Sequence, residues 1–232
     1  MTDRSLEGRV VAIPGAGGSL GPHLVAALAA AGATLALGDV SLERLEGLEA
    51  ADRRALDLLD PVAAEAWADS LEERFGHVDG VVHIVGGWRG GVHLAEAPLA
   101  DWDLLSGLLT RTVQHTSRAF HGALTRSAHG RFVLMSAKQA VQPTATNAAY
   151  AAAKAAAEAW VLALAEGFAS AGSPATANIV AINALVTPAM RAAEPDKAFT
   201  AFTDARDVAE AIRFLLSDAA AKMNGQRLAL HG

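Results

Sequence analysis

With 232 residues, 52% of them apolar, and a mean hydropathy of +0.25, the chain can bury a full core in one α/β layer structure, and a single domain over 1–232 is expected. A formal net charge of −6 with no run of Lys or Arg gives no electrostatic footprint for nucleic acid or an anionic membrane, which leaves a small molecule as the expected partner. Having no cysteine, the chain has no disulfide framework, thiol nucleophile or Cys-ligated metal.

The opening residues MTDRSLEGR run straight into the apolar stretch 10–13, which is too short and too early for a secretory segment, so a cytoplasmic location is expected. Short β-rich runs then alternate with helical patterns, the signature of βαβ units around a parallel sheet. A first strand at 9–13 is followed by Pro14-Gly15-Ala16-Gly17-Gly18-Ser19-Leu20-Gly21 and a helix at 20–31 that stops at Gly32. Glycines in such a turn let backbone N–H groups approach a pyrophosphate at the helix N-terminus; a plain tight β-α connection would look the same. A second strand at 33–38 ends at Asp39, 24 residues after Gly15. A carboxylate there can accept hydrogen bonds from the adenosine ribose, or simply cap the helix expected at 41–50. It would also repel a ribose 2′-phosphate, and neither Val40 nor Ser41 supplies a compensating Arg, so NAD(H) is expected over NADP.

The third strand, 53–57, ends in Asp57, which can meet an adenine amino group or serve as a turn residue before the helix at 61–75. A strand at 79–85 leads into an irregular segment, 86–98, containing Trp88, and then a helix at 99–122. Asp101 and Asp103 lie in that helix's first turn, where acids favour the dipole. After a strand at 131–136 comes an Ala-rich helix, 148–171, in which Tyr150 and Lys154 stand four apart and so share a face. An ammonium near a phenol lowers its pKa toward neutrality, making Tyr150 a proton-exchanging group, although Tyr-x-x-x-Lys also occurs on solvated helices. Lys154, Glu158 and Glu166 interrupt the apolar run too often for a membrane span. Burial against the sheet and a second subunit explains the remaining apolar faces, so a homodimer or homotetramer is expected. A strand at 176–182, a second irregular segment at 183–205, a helix at 206–217 and a strand at 226–230 complete seven strands and six helices in one Rossmann-type doubly wound sheet. Both irregular segments follow strands, where ligands of such sheets sit. The histidines at 23, 77, 83, 93, 115, 121, 129 and 231 form no ligand spacing, and no metal is expected.

From the first strand to the last residues the chain resembles the short-chain dehydrogenase/reductase family. The likeness rests on GAGGSLG, on HIVGG after the fourth strand, on Tyr150-Ala-Ala-Ala-Lys154, and on the tail DVAEAIRFLLSDAAAKMNGQRLALHG with Gly225 before the last strand. It implies cofactor contacts from Gly15, Gly17, Gly18, Ser19, Leu20, Gly21, Gly86 and Lys154, with Thr187 on the nicotinamide carboxamide unless it only caps a helix before Pro188. Several positions depart from the family. Pro14 replaces Thr, Ser19 the middle Gly, and His83-Ile84-Val85-Gly86 the Asn-Asn-Ala-Gly motif, while the active-site Asn falls on Leu109 and the Pro-Gly after the sixth strand on Ile182-Asn183. The serine thirteen residues before the tyrosine is Ala137, and Ser136 should point to the opposite face. Losing one donor to a developing oxyanion costs about 10²- to 10³-fold in turnover, which disfavours an ordinary ketone.

Within the family, dihydropteridine reductase is similar in three local motifs: Ala137-Lys138, Gly86-Gly87-Trp88-Arg89-Gly90-Gly91, and Thr187-Pro188 followed by Met190-Arg191. This implies an NADH-dependent reductase of a planar, quinonoid pterin-like ring, stacked on Trp88 beside Ala137, with Tyr150 delivering the proton. Trp88 can equally be a hydrophobic lid. The alternatives are a carbonyl reductase of secondary metabolism, or a nucleotide-binding scaffold that has lost catalysis along with the Ser and Asn.

Overall fold

The structure is a computed structural model describing residues 4–230. Strand β1 (Val10–Pro14) is buried at every position and leads into helix α1 (Gly21–Ala30), followed by β2 (Thr34–Asp39), β3 (Asp52–Ala55), α2 (Pro61–Phe75) and β4 (Gly80–His83). Helices α3 (Ala100–Ser106) and α4 (Thr112–Arg126) precede β5 (Arg131–Ala137), α5 (Ala148–Ser170) and β6 (Thr176–Ile182). The chain ends with β7 (Leu185–Val186), α6 (Pro188–Ala193), β8 (Thr203–Asp204), α7 (Ala205–Leu216) and β9 (Arg227–Ala229).

Seven strands form one parallel sheet in the order β3-β2-β1-β4-β5-β6-β9. β1, β5 and β6 read as near-continuous apolar runs because each is covered on both faces. On one face Leu24 and Leu28 of α1 pack with Val208 and Ile212 of α7. On the other, Trp67 of α2, Phe120 of α4 and Phe168 of α5 form the larger cluster, with Trp67 and Phe120 edge-to-face at 5.4 Å. After β3 the chain crosses to β4 on the far side of β1, and this reversal opens a crevice beyond the carboxyl ends of β1 and β4.

The expected α/β sheet of seven strands is present, with corrections to its connections. No helix fills 41–50: only a 3₁₀ turn forms at Glu43–Leu45, because Leu45 alone in that segment is buried and Gly47, at φ 73°, turns the chain away. The helix expected at 99–122 runs on to Arg126 but widens to π geometry over Gly107–Arg111. There, Thr110 Oγ1 donates to the Ala153 carbonyl (2.9 Å) and Thr112 Oγ1 back to the Leu108 carbonyl (2.7 Å). The segment 183–205 is ordered into β7, α6 and β8, with β7 and β8 paired as a small parallel ribbon. β4 stops at His83, two residues short of the expected end at 85. By length and composition α5 could cross a membrane, yet its Lys154 and Glu158 are buried against the sheet, as in a core helix.

Candidate active site

A cavity of about 850 Å³ lies beyond the carboxyl ends of the central strands. At one end the turn after β1 supplies Gly15, Gly18, Ser19 and Leu20 to its wall. Gly15 is irreplaceable on geometric grounds: its φ is +86°, and a Cβ would lie 2.7 Å from the Val85 backbone nitrogen. Helix α1 then starts with no side-chain cap and no acidic residue in its first turn; Gly21 N–H donates to the Gly18 carbonyl (2.9 Å) and Pro22 has none, so what the helix offers an anion is chiefly the positive end of its dipole. Gly17 and Gly21 act behind this wall. Gly17 N–H donates to Asp39 Oδ2 (2.9 Å), and a Cβ on Gly21 would sit 1.7 Å from the Ala16 carbonyl oxygen, so Gly21 lets α1 close on the turn.

Asp39 is buried at the cavity wall, its carboxylate accepting from Gly17 N–H, Val40 N–H (2.8 Å) and Arg44 Nε (2.6 Å). The expectation that no Arg compensates this carboxylate is therefore corrected. Arg44, half exposed on the 3₁₀ turn and also on the wall, reaches back five residues to it. The helix predicted for 41–50 concealed that approach. Asp57 takes the expected turn role, accepting Leu59 N–H (2.9 Å), and also stands on the cavity wall.

At the other end Gly86, Trp88, Ala137, Tyr150 and Lys154 come together. Trp88 is half exposed on a loop pinned to the approach of α5, where Gly91 and Leu94 N–H donate to the carbonyls of Thr146 (2.8 Å) and Ala145 (2.7 Å). Tyr150 and Lys154 both face the cavity from α5. Lys154 Nζ donates to the Met135 carbonyl (2.8 Å), and burial draws its pKa down to about 8 although Glu158 pulls the other way. Burial pushes Tyr150 up to about 12, against the lowering toward neutrality expected from Lys154. The phenol is a proton-holding acid at neutral pH.

Thr187 is off the cavity wall; its Oγ1 accepts Met190 N–H (3.2 Å) as the N-cap of α6. Leu109 is buried with Leu105 and Ala153. Ser136 is committed elsewhere, donating to Glu158 Oε1 at 2.6 Å. His83 is buried beneath the site with Nε2 3.2 Å from Thr112 Oγ1. That hydroxyl already donates to Leu108, so it accepts from His83, and burial with the Lys154 charge brings His83 down to about 3, leaving it neutral. Among the described residues no three His, Asp or Glu side chains gather; His231 lies outside them. Besides Arg44, the reading of the sequence did not identify Glu158 and Arg227 as parts of this end. Glu158 stands one helical turn after Lys154, a spacing that could have drawn attention, whereas Arg227 carries no local signal.

A sequence model described as enoyl-(acyl carrier protein) reductase matches residues 15–232. The 3-oxoacyl-(acyl-carrier-protein) reductase FabG of Escherichia coli is 27% identical over 241 residues, covering 98% of both chains. Among solved structures, a gluconate 5-dehydrogenase from Burkholderia cenocepacia in complex with NADP and tartrate superimposes with a TM-score of 0.85 at 26% identity, covering 100% of this chain and 97% of that one. A short-chain oxidoreductase from Pseudomonas aeruginosa has a TM-score of 0.86 at 24% identity over 99% and 97% of the two chains, a likeness of fold.

Proposed function

Since the chain belongs to the short-chain dehydrogenase/reductase family, we propose that it is an NAD(H)-dependent reductase of a small planar substrate, resembling a quinonoid dihydropteridine, with Tyr150 as the proton donor. The observation that carries this reading is that one cavity is lined both by the Gly15–Leu20 turn and by the Tyr150–Lys154 pair. The turn suits a dinucleotide: Gly15, Gly18, Ser19 and Leu20 line the cavity beside the start of α1, whose positive dipole end favours a pyrophosphate there. Ser19 and Leu20 would flank it, Asp39 would hold the adenosine ribose, Asp57 the adenine, and Gly86 and Lys154 the nicotinamide half. Thr187 is left as a cap.

The hydride would come from a dihydronicotinamide held by these residues. Tyr150 gives its phenolic proton to the substrate atom that gains negative charge, completing a two-electron reduction, and the Lys154 ammonium steadies the phenolate left behind. Ala137 offers a methyl where an oxyanion donor would stand, which suits an electron-poor ring better than a carbonyl that must be polarised. Trp88 can stack on such a ring, contributing about 1 kcal/mol beyond the area it buries. The preference for NADH rests on the Asp39 carboxylate. Arg44 and the NADP bound to the gluconate dehydrogenase make use of NADPH the competing outcome.

A second reading, reduction of a carbonyl, is favoured by the match to 3-oxoacyl-(acyl-carrier-protein) reductase along 98% of the chain. Following NADH oxidation with a quinonoid dihydropterin and with a panel of ketones separates the two readings. The pterin should turn over faster, and Tyr150→Phe should lower its rate by about 10²-fold or more. Faster ketone reduction would replace the first reading by the second, and nucleotide binding without any turnover would leave only a scaffold. The proposed working form is a cytoplasmic homodimer or homotetramer. Light scattering that returned only the 23.9 kDa chain would remove the oligomer.

A further inference from the structure

Three consecutive residues at the end of β5 are each held by a different charged side chain. Lys154 Nζ donates to the Met135 carbonyl (2.8 Å), Ser136 Oγ donates to Glu158 Oε1 (2.6 Å), and Arg227 Nη2 donates to the Ala137 carbonyl (3.0 Å). Two of the charges are paired directly, Arg227 Nε donating to Glu158 Oε2 (2.8 Å), and Glu158, one helical turn from Lys154 on α5, acts on the ammonium across that turn. Lys154 is 5% and Glu158 6% exposed, so the chain of charges works where water screens little.

Arg227 reaches this place from the far edge of the sheet. On β9 it pairs with Ile179 of β6, whose side chain belongs to the cluster under α5, so Arg227 lies on that same face and extends toward the carboxyl end of β5. A buried carboxylate and ammonium, joined by a guanidinium whose side chain is only 23% exposed, are costly when core packing alone is needed. Here every charge grips the strand end that carries Ala137, which lies on the cavity wall.

We propose that Glu158 and Arg227 are positioning residues for the active site, fixing the end of β5 and holding the Lys154 ammonium in register with Tyr150 through the Lys154–Glu158–Arg227 chain. This deepens, and rests on, the reading of Tyr150 and Lys154 as the proton-handling pair. The groups facing Lys154 are Tyr150 and Glu158 on α5, neutral His83 on β4, the Met135 carbonyl on β5 and, through Glu158, Arg227 on β9. Glu158 favours the charged form of Lys154, and Arg227 draws that carboxylate's charge toward itself.

The test is a titration of Lys154 that needs no substrate. The chain has four lysines, so in protein labelled with ¹³C at lysine Cε the Lys154 signal is the one lost in Lys154→Met. Glu158→Gln should move its midpoint down by about one pH unit or more, and Arg227→Gln should move it up, while Arg227→Lys should restore the wild-type value. Both single variants moving it the same way, or neither moving it, would overturn the proposal, because a merely structural role has no reason to produce opposite signs. If Glu158→Gln does not fold, the double variant Glu158→Gln/Arg227→Gln removes both charges and should still titrate below wild type; an unchanged midpoint overturns the proposal. In the active enzyme the alkaline limb of the kcat profile should follow these midpoints. Expected midpoints in a protein that turns over no substrate would uphold the positioning role and sink the catalytic reading instead.

Discussion

Three donors converge on the Asp39 carboxylate, and one of them, Arg44, changes what that residue means. A bare carboxylate at the end of the second strand rejects a 2′-phosphate by repulsion. One paired with a half-exposed guanidinium offers that phosphate a cation at the same spot. Arg44→Ala should therefore lower kcat/KM for NADPH by about ten-fold while changing that for NADH by less than about three-fold, since a hydrogen bond to a charged group is worth about 1.5–3 kcal/mol. Equal losses with both nucleotides would show that Arg44 only orders its own turn. Ser136 teaches the opposite lesson. Its neighbour relationship with Ala137 was readable, and its hydroxyl is indeed turned away, onto Glu158.

Between residues and the whole chain, elements are set by how closely their backbones approach. The turn from β1 into α1 closes so tightly that a methyl on Gly21 would overlap the Ala16 carbonyl, and no flexible side chain is present there to yield. Gly21→Ala should cost about 3 kcal/mol or more of stability in urea unfolding, and should weaken nucleotide binding as the start of α1 is displaced. A loss below about 0.5 kcal/mol would mean that the helix relaxes freely, and would undercut the account of this turn. The failed helix at 41–50 belongs to the same scale. Its apolar spacing was helical, but only Leu45 found a surface to bury against.

For the whole molecule, buried Lys154 and partly buried Tyr150 link function to folding. Lys154 titrates near 8 when folded against 10.5 for the ordinary side chain, so between those values the unfolded chain binds more protons and stability rises with pH. Tyr150 works in the other direction. Raised from 10.0 to about 12, it keeps its proton when folded, and stability is lost as pH climbs from 10 to 12. From pH 7 to pH 10 the difference in Tm between wild type and Lys154→Met should thus move in favour of wild type, even as turnover that needs the ammonium falls above about pH 8. A difference moving the other way would contradict the burial argument. Loss of activity in that range should not be accompanied by unfolding.

Much of this was legible in the chain itself. Alternating strand and helix periodicity, Gly15 after the first strand, Asp39 after the second and the four-residue spacing of Tyr150 and Lys154 are local patterns, each governed by residues a few positions apart. Such short-range constraints determined the seven-stranded parallel sheet and the two ends of its crevice. The tertiary structure alone decided that Arg44 meets Asp39, that Thr187 stays off the cavity wall, that burial raises Tyr150, and that Arg227 joins Glu158 from 69 residues away. The reason is physical: desolvation and ion pairing depend on which surfaces the folded sheet brings together, and no spacing along the chain specifies them.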